Sequence, residues 1–191
     1  MLPLALLAIA GAVTAAIKLT GGPNLSRVAA GLSFPLQYVQ LAAKWASKRG
    51  LPLEWVLATI LVESSGNPRA AGDADGRSAG LMQVNTSAHA AEMAAKRVTR
   101  EMMFDPAVNI EWGTKYMAEF RANILKALGG RRPPAPLDEI LRLSYKGPAT
   151  VYAALRAGRN PADISWAPAA LVNWRRAMAR VTALTKGRLQ A

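Results

Sequence analysis

Glu63 is the residue whose placement bears most directly on chemistry. It lies four residues after Thr59, three after Ile60 and seven after Val56, spacings that put it on the apolar side of a helix near its C-terminal end. A carboxylate drawn out of water has two ways to offset its lost hydration. A cation can neutralise it, or it can hold its proton at a pH where an exposed glutamate would not. No Lys or Arg falls within one helical turn of Glu63 in the sequence, which leaves the second route open. A protonated glutamic acid among apolar groups is the reagent that general-acid cleavage of a glycosidic bond requires. Position alone does not decide the matter, since a glutamate near a helix end ordinarily faces water.

Other chemistries find less support. The chain has no cysteine, so disulfides and thiol catalysis are excluded, and its single histidine, His89, gives no basis for a zinc site. Asp73-Ala74-Asp75-Gly76 lacks the further oxygen ligands and closing glutamate of a calcium loop and reads as a turn. Neither metal nor cofactor is expected. The formal net charge is +12, which favours acidic partners, among them nucleic acid, anionic lipid and the bacterial wall. The excess is steep after Glu139, where Asp163 is the sole acid. No nucleic-acid-binding motif is visible, and Trp45, Trp55, Trp112, Trp166 and Trp174 are scattered rather than set as a stacking platform. Specific nucleic-acid binding is therefore not expected.

The elements that must position Glu63 read as helices. Residues 2–17 form an apolar run of 16 residues, between a signal-peptide core and a full membrane span of about 20. Retained from Met1, it is expected to be an uncleaved anchor or a helix buried against membrane or partner protein. Residues 23–34 read as a linker. From Pro35 to Gly50, apolar residues recur at helical spacing. Pro52 is placed in the first turn of the next helix, whose apolar stripe is Leu53, Val56, Leu57, Ile60 and Leu61, and Ser65-Gly66-Asn67-Pro68 stops it. A glycine-rich stretch with a short hairpin follows, between Ala70 and Asn85. Asp105-Pro106 caps a long helix that Gly129-Gly130 ends. Shorter helices are predicted at 137–144 and 149–157, and a last, basic one from 168 to about 186. The expected fold is mainly α, a multi-helix domain over 35–160, with residues 161–191 packed on it or extending it.

The string around Glu63 adds a resemblance. Glu63-Ser64-Ser65-Gly66-Asn67-Pro68 is followed by Gly80-Leu81-Met82-Gln83, then by Asp105-Pro106, Asn109-Ile110, Gly113 and Tyr116, then by Ser144-Tyr145-Lys146-Gly147-Pro148. In order and spacing these resemble the catalytic domain of the soluble lytic transglycosylases, relatives of goose-type lysozyme, over roughly residues 51–152. The resemblance implies a lysozyme-like fold acting on peptidoglycan glycan strands. It implies that Glu63 is the single catalytic carboxylate. That acid would protonate the oxygen between N-acetylmuramic acid and N-acetylglucosamine, then accept the proton of the C6 hydroxyl as that oxygen attacks C1. The product would be a 1,6-anhydro sugar. The substrate's own N-acetyl group would stabilise the positive centre, which is how one carboxylate suffices. By the same carry-over, Ser78 and Gln83 contact the sugar and the catalytic carboxyl, Met82 forms an apolar wall of the cleft, and Tyr145 sets its hydroxyl beside the acid.

Departures from the family pattern bear on the site. The family's A-Y-N-A-G-P is one residue shorter here and has Lys146 in place of Asn. Lys146 beside Glu63 would favour the ionised carboxylate, unless its stem carries the charge out to solvent. Gly66 replaces an aromatic residue frequent at that point. Asp73 and Asp75 keep a second outcome open, in which these acids hold a water and the same bond is hydrolysed. A third reading is a wall-binding structural component with a weakened site. An envelope, membrane-anchored or virion setting fits the apolar N-terminus, with local wall opening for a secretion, conjugation or virion machine.

Overall fold

Asp105 shows how firmly this sequence writes its helix boundaries. Its Oδ1 accepts from the backbone N–H of Ala107 (2.7 Å) and Val108 (3.1 Å), with Pro106 in the first turn. These donors have no partner inside a helix, so the cap and the missing proline N–H remove the usual deficit together. The helix that follows runs for 23 residues and stops where Gly129 turns left-handed at φ 57°.

The computed structural model describes residues 22–72 and 76–187. The predicted N-terminal apolar helix and the pair Asp73 and Asp75 lie outside the described residues. In chain order the elements are α1 (Leu25–Leu32), α2 (Leu36–Lys48), α3 (Leu53–Ser64), β1 (Ala71–Gly72), β2 (Ser78–Ala79), β3 (Val84–Asn85), α4 (Ala90–Ala95), α5 (Pro106–Leu128), α6 (Leu137–Lys146), α7 (Pro148–Arg156) and α8 (Ala167–Thr185). The short strands form one antiparallel sheet in the order β1-β2-β3, with Gly72 opposite Ser78 and Ser78 opposite Asn85. The fold is mainly α, as expected, and the hairpin region has a third strand.

Two regions differ from the sequence-based expectation. Residues 23–34, expected as a linker, contain α1. Asn24 caps it by accepting from the N–H of Arg27, and Val28, Ala29 and Leu32 are buried. Its Gly31 lies against Leu184 of α8, where a side chain on residue 31 would strike the leucine. The helical spacing of Val28 and Leu32 was the available signal, masked by the Gly-Gly-Pro just before it. The second difference is smaller. Pro52 occupies the cap position in extended backbone, one residue before the first turn of α3.

The main core joins all the long helices. Val28 of α1, Val39 of α2, Leu57 and Ile60 of α3, Met117 and Ile124 of α5, Leu141 of α6 and Trp174 and Val181 of α8 belong to one buried cluster. Helices α1 and α8 thus contribute directly to the buried core of the described residues. α3 packs along α8, α5 packs against α2, α6 and α7, and α6 is wedged beside α8. Arg175, Arg176 and Arg180 stay on the exposed side of α8. A second cluster, with Ala79, Val84, Met93, Met103, Trp112 and Tyr116, sits beneath the sheet. The cleft that matters opens between the sheet and the ends of α3 and α6.

Candidate active site

Glu63 sits in the last turn of α3, next to the helix end that its own neighbours create. Ser65 turns left-handed at φ 52°, and Gly66 follows at φ 83°. Ser64 Oγ donates to Ile60 O and accepts from the Gly66 N–H, and Asn67 Oδ1 accepts from the Arg69 N–H. This chain of local bonds folds the backbone sharply away toward β1. Gly66 has no room for a side chain, because the Phe34 ring lies 2.6 Å from where its Cβ would stand. Phe34 thus fills space beside residue 66 from the α1–α2 connection.

The turn after β2 is held from behind by Asn109 of α5. Asn109 is fully buried. Its Nδ2 donates to Ala79 O (2.8 Å) and Met103 O (2.9 Å), and its Oδ1 accepts from the Met82 N–H (2.7 Å). Gly80, at φ 76°, lies so close to Met103 O and Asn109 that a Cβ there would overlap both. One turn along α5, Gly113 admits Met82, whose sulfur and Cβ occupy the space a side chain would take. Gly113 O in turn accepts from the Tyr145 hydroxyl at 3.3 Å. The sequence blocks around residues 80–83, 105–116 and 144–148 are therefore parts of one contact network, although 21 and 27 residues separate each from the next.

The cavity they frame is about 380 Å³ and is lined by Glu63, Gly72, Ser78, Gln83, Asn85, Arg142, Tyr145 and Lys146. Four of the five predicted site residues meet there. Ser78, in β2, is nearly buried. Gln83 has φ 47°, and its Nε2 donates to Ala70 O (2.9 Å) and Gly80 O (2.8 Å). Its amide donors are thus spent on the loop, and its Oε1 lies against Gly72. Tyr145 shares the cavity with Glu63, while its hydroxyl bonds Gly113 O rather than the acid. Burial, reinforced by the negative charge of Glu63 and partly offset by Arg142, pushes the Tyr145 phenol well above its ordinary value. Met82 is fully buried in the core and lines a smaller neighbouring cavity of about 50 Å³ that contains His89, Tyr116 and Phe120. A groove between α3 and α8, beside Leu61, Arg176 and Arg180, has no carboxylate among its lining residues.

The cation beside Glu63 is the main correction. It comes from another helix: Arg142 of α6 donates from Nη1 to Glu63 Oε1, and both side chains are under a fifth exposed. Lys146, for which the sequence left open a place beside the acid or a charge carried out to solvent, is exposed at the rim and makes no ion pair among the described residues. The sequence held a signal for this. Arg142 precedes Tyr145 by three residues, so the helix face that brings the tyrosine to the cavity brings the arginine too. A search within one turn of Glu63 could not see it. Arg142 Nε is buried and has no hydrogen-bond partner, a deficit that costs a charged donor more than a neutral one.

A helical body, a small antiparallel sheet and a single described carboxylate in the cleft between them define a lysozyme-like domain. Residues 40–135 match the Transglycosylase SLT domain family, and the chain belongs to that family. Over 118 residues it is 32% identical to membrane-bound lytic murein transglycosylase C of Serratia proteamaculans, a match covering 59% of this chain and 32% of the relative. The chain thus spans about a third of that relative's length. The family match ends before α6, the helix that supplies Arg142, Tyr145 and Lys146. Among the described residues, no helix is long and apolar enough to cross a membrane.

Proposed function

We propose that this chain cuts the β-1,4 bond between N-acetylmuramic acid and N-acetylglucosamine in peptidoglycan as a lytic transglycosylase, with Glu63 as acid and then base. The observation that carries this reading is the position of Glu63: it is the one acid among the described residues of a sugar-sized cavity, framed by Ser78, Gln83 and Tyr145. Family membership and the likeness to a lytic murein transglycosylase support it.

The steps balance without a second protein carboxylate. The carboxyl proton of Glu63 moves to the glycosidic oxygen as its bond to C1 breaks. The C6 oxygen of the same muramic residue then bonds to C1, and its proton returns to Glu63. No water is consumed and the acid is regenerated. Within the cleft, the neutral phenol of Tyr145 presents no competing negative charge, Ser78 lines the cavity where it can meet the sugar, and Gln83 steadies the loop beside it. Glu63 must leave Arg142 before its carboxyl can meet the glycosidic oxygen, because the guanidinium occupies its Oε1. The same bond cut by hydrolysis is the rival outcome, and a wall-binding role without turnover is the rival class. We further infer an envelope setting in which local cutting opens the wall for a larger machine, on the apolar run 2–17 and the basic surface.

Solubilisation of purified cell walls by the wild-type chain and by Glu63→Gln tests the enzymatic reading. The wild type should clear the suspension and the variant should not, with both folded by circular dichroism. Equal behaviour of the two proteins would leave only the wall-binding role.

A further inference from the structure

The Glu63–Arg142 pair is badly suited to permanence. Glu63 is Arg142's only hydrogen-bond partner among the described residues, and the arginine's Nε is buried with none. A guanidinium offers five N–H donors in a planar fork that matches both oxygens of a carboxylate. Here the fork is mostly unused. Lys146 follows Arg142 by four residues on the same face of α6 and lines the same cavity. Two cations therefore face one acid among the described lining residues, leaving a positive excess where a strand would lie.

We propose that Arg142 and Lys146 form a subsite for a carboxylate of the bound glycan strand, and that this carboxylate draws Arg142 away from Glu63. The inference rests on the reading of Glu63 as the acid. In the free protein the arginine occupies the carboxylate. A substrate carboxylate of the same geometry takes over the guanidinium, with Lys146 at the rim as a second attractive charge. Glu63, released from the guanidinium, is then free to meet the glycosidic oxygen. Arg142 is thus a positioning residue that couples strand recognition to readiness of the acid. The anion has two sources in this polymer. It is the lactyl carboxylate of a muramic residue stripped of its peptide, or a free carboxylate on the stem peptide.

The experiment uses the full chain and three preparations of soluble glycan strands: peptide-free strands, the same strands with their carboxylates converted to methylamides, and strands that keep their stems. Cleavage is followed by kcat/KM and binding by calorimetry, so the subsite is decided even if no bond is cut. Wild type should prefer a carboxylate-bearing strand over the methylamide by about ten- to a hundred-fold, the range of a charge-assisted bond. Preference for the peptide-free strand identifies the lactyl group, and preference confined to stem-bearing strands identifies the peptide. In Arg142→Gln the preference should fall to about twofold or less, and Arg142→Lys should restore part of it, as expected for a lost charge-assisted contact. Glu63→Gln, which frees the arginine, should bind the carboxylate-bearing strand several-fold more tightly than wild type. The proposal is overturned if wild type binds charged and neutralised strands equally. It is also overturned if Arg142→Gln weakens both by one common factor, the mark of a merely structural brace. Absence of cleavage with the binding preference intact would instead count against the enzymatic reading alone.

Discussion

Asn109 and Arg142 lie on two sides of the same cleft and are treated in opposite ways. Behind the cleft, Asn109 is fully buried and both ends of its amide are satisfied by three backbone partners. At the face, Arg142 hydrogen-bonds only Glu63 among the described residues and leaves a buried donor without a partner there. A second glutamate–arginine pair makes the contrast sharper. Glu139 sits in the first turn of α6, where the helix dipole favours a negative charge. Arg175 grips both of its oxygens, at 2.7 and 2.8 Å. Glu63 sits at the opposite kind of helix end, where the dipole disfavours its charge, and is gripped through one oxygen. At this cleft the residue that props the turn is fully paired, and the residue proposed to change partners is not.

The largest effect that can break this contrast is kinetic. Glu63→Gln should lower the rate of wall solubilisation by about 10²- to 10⁴-fold, the usual share of a positioned acid/base. Glu139→Gln should leave that rate within about twofold while lowering the melting temperature, because its arginine braces α6 against α8. Comparable rate losses in the two variants would erase the distinction between the pairs.

Next in size is the support behind the cleft. Asn109→Ala strands two carbonyls and one N–H in the core and should cost about 2–4 kcal/mol in urea unfolding. Loss of less than about 1 kcal/mol would mean that the turn carrying Met82 and Gln83 is held by something else.

The smallest effect is on Tyr145, whose phenol is pushed up by burial first and by the charge of Glu63 second. Below pH 10, the ordinary tyrosine value, folded and unfolded chains both carry the proton and stability is unaffected. Above it the unfolded chain ionises first, so stability falls as pH rises toward the folded-state value. Tyr145→Phe should remove up to about 1.4 kcal/mol per pH unit of that alkaline slope. Removing the charge in Glu63→Gln should bring the tyrosinate absorbance transition to lower pH, whereas Glu139→Gln should leave it in place.

Much of this architecture was readable from local chemistry. Asp105-Pro106, Gly129 and Ser65-Gly66 mark helix boundaries through capping and backbone conformation, which depend on a few adjacent residues. The grouping of Glu63, Ser78, Gln83 and Tyr145 came from the resemblance of the surrounding blocks, and the structure brings those residues to one cavity. What escaped the sequence was pairing between distant elements. Arg142 is 79 residues from Glu63, and α1 is recognisable as a helix of this core only once α8 is laid beside Gly31. The role of Asn109 is of the same kind: its three bonds reach into segments 6 to 30 residues away.

The central claim is that one carboxylate, with the sugar's own C6 hydroxyl as nucleophile, completes the reaction. Mass spectrometry of the fragments released from purified peptidoglycan by the wild-type chain tests it most directly. Muramic ends lighter by one water than the hydrolysed form, and formed without incorporation of isotope from labelled water, are the predicted result. Ends that carry the label at full mass would contradict it and assign the attack to solvent.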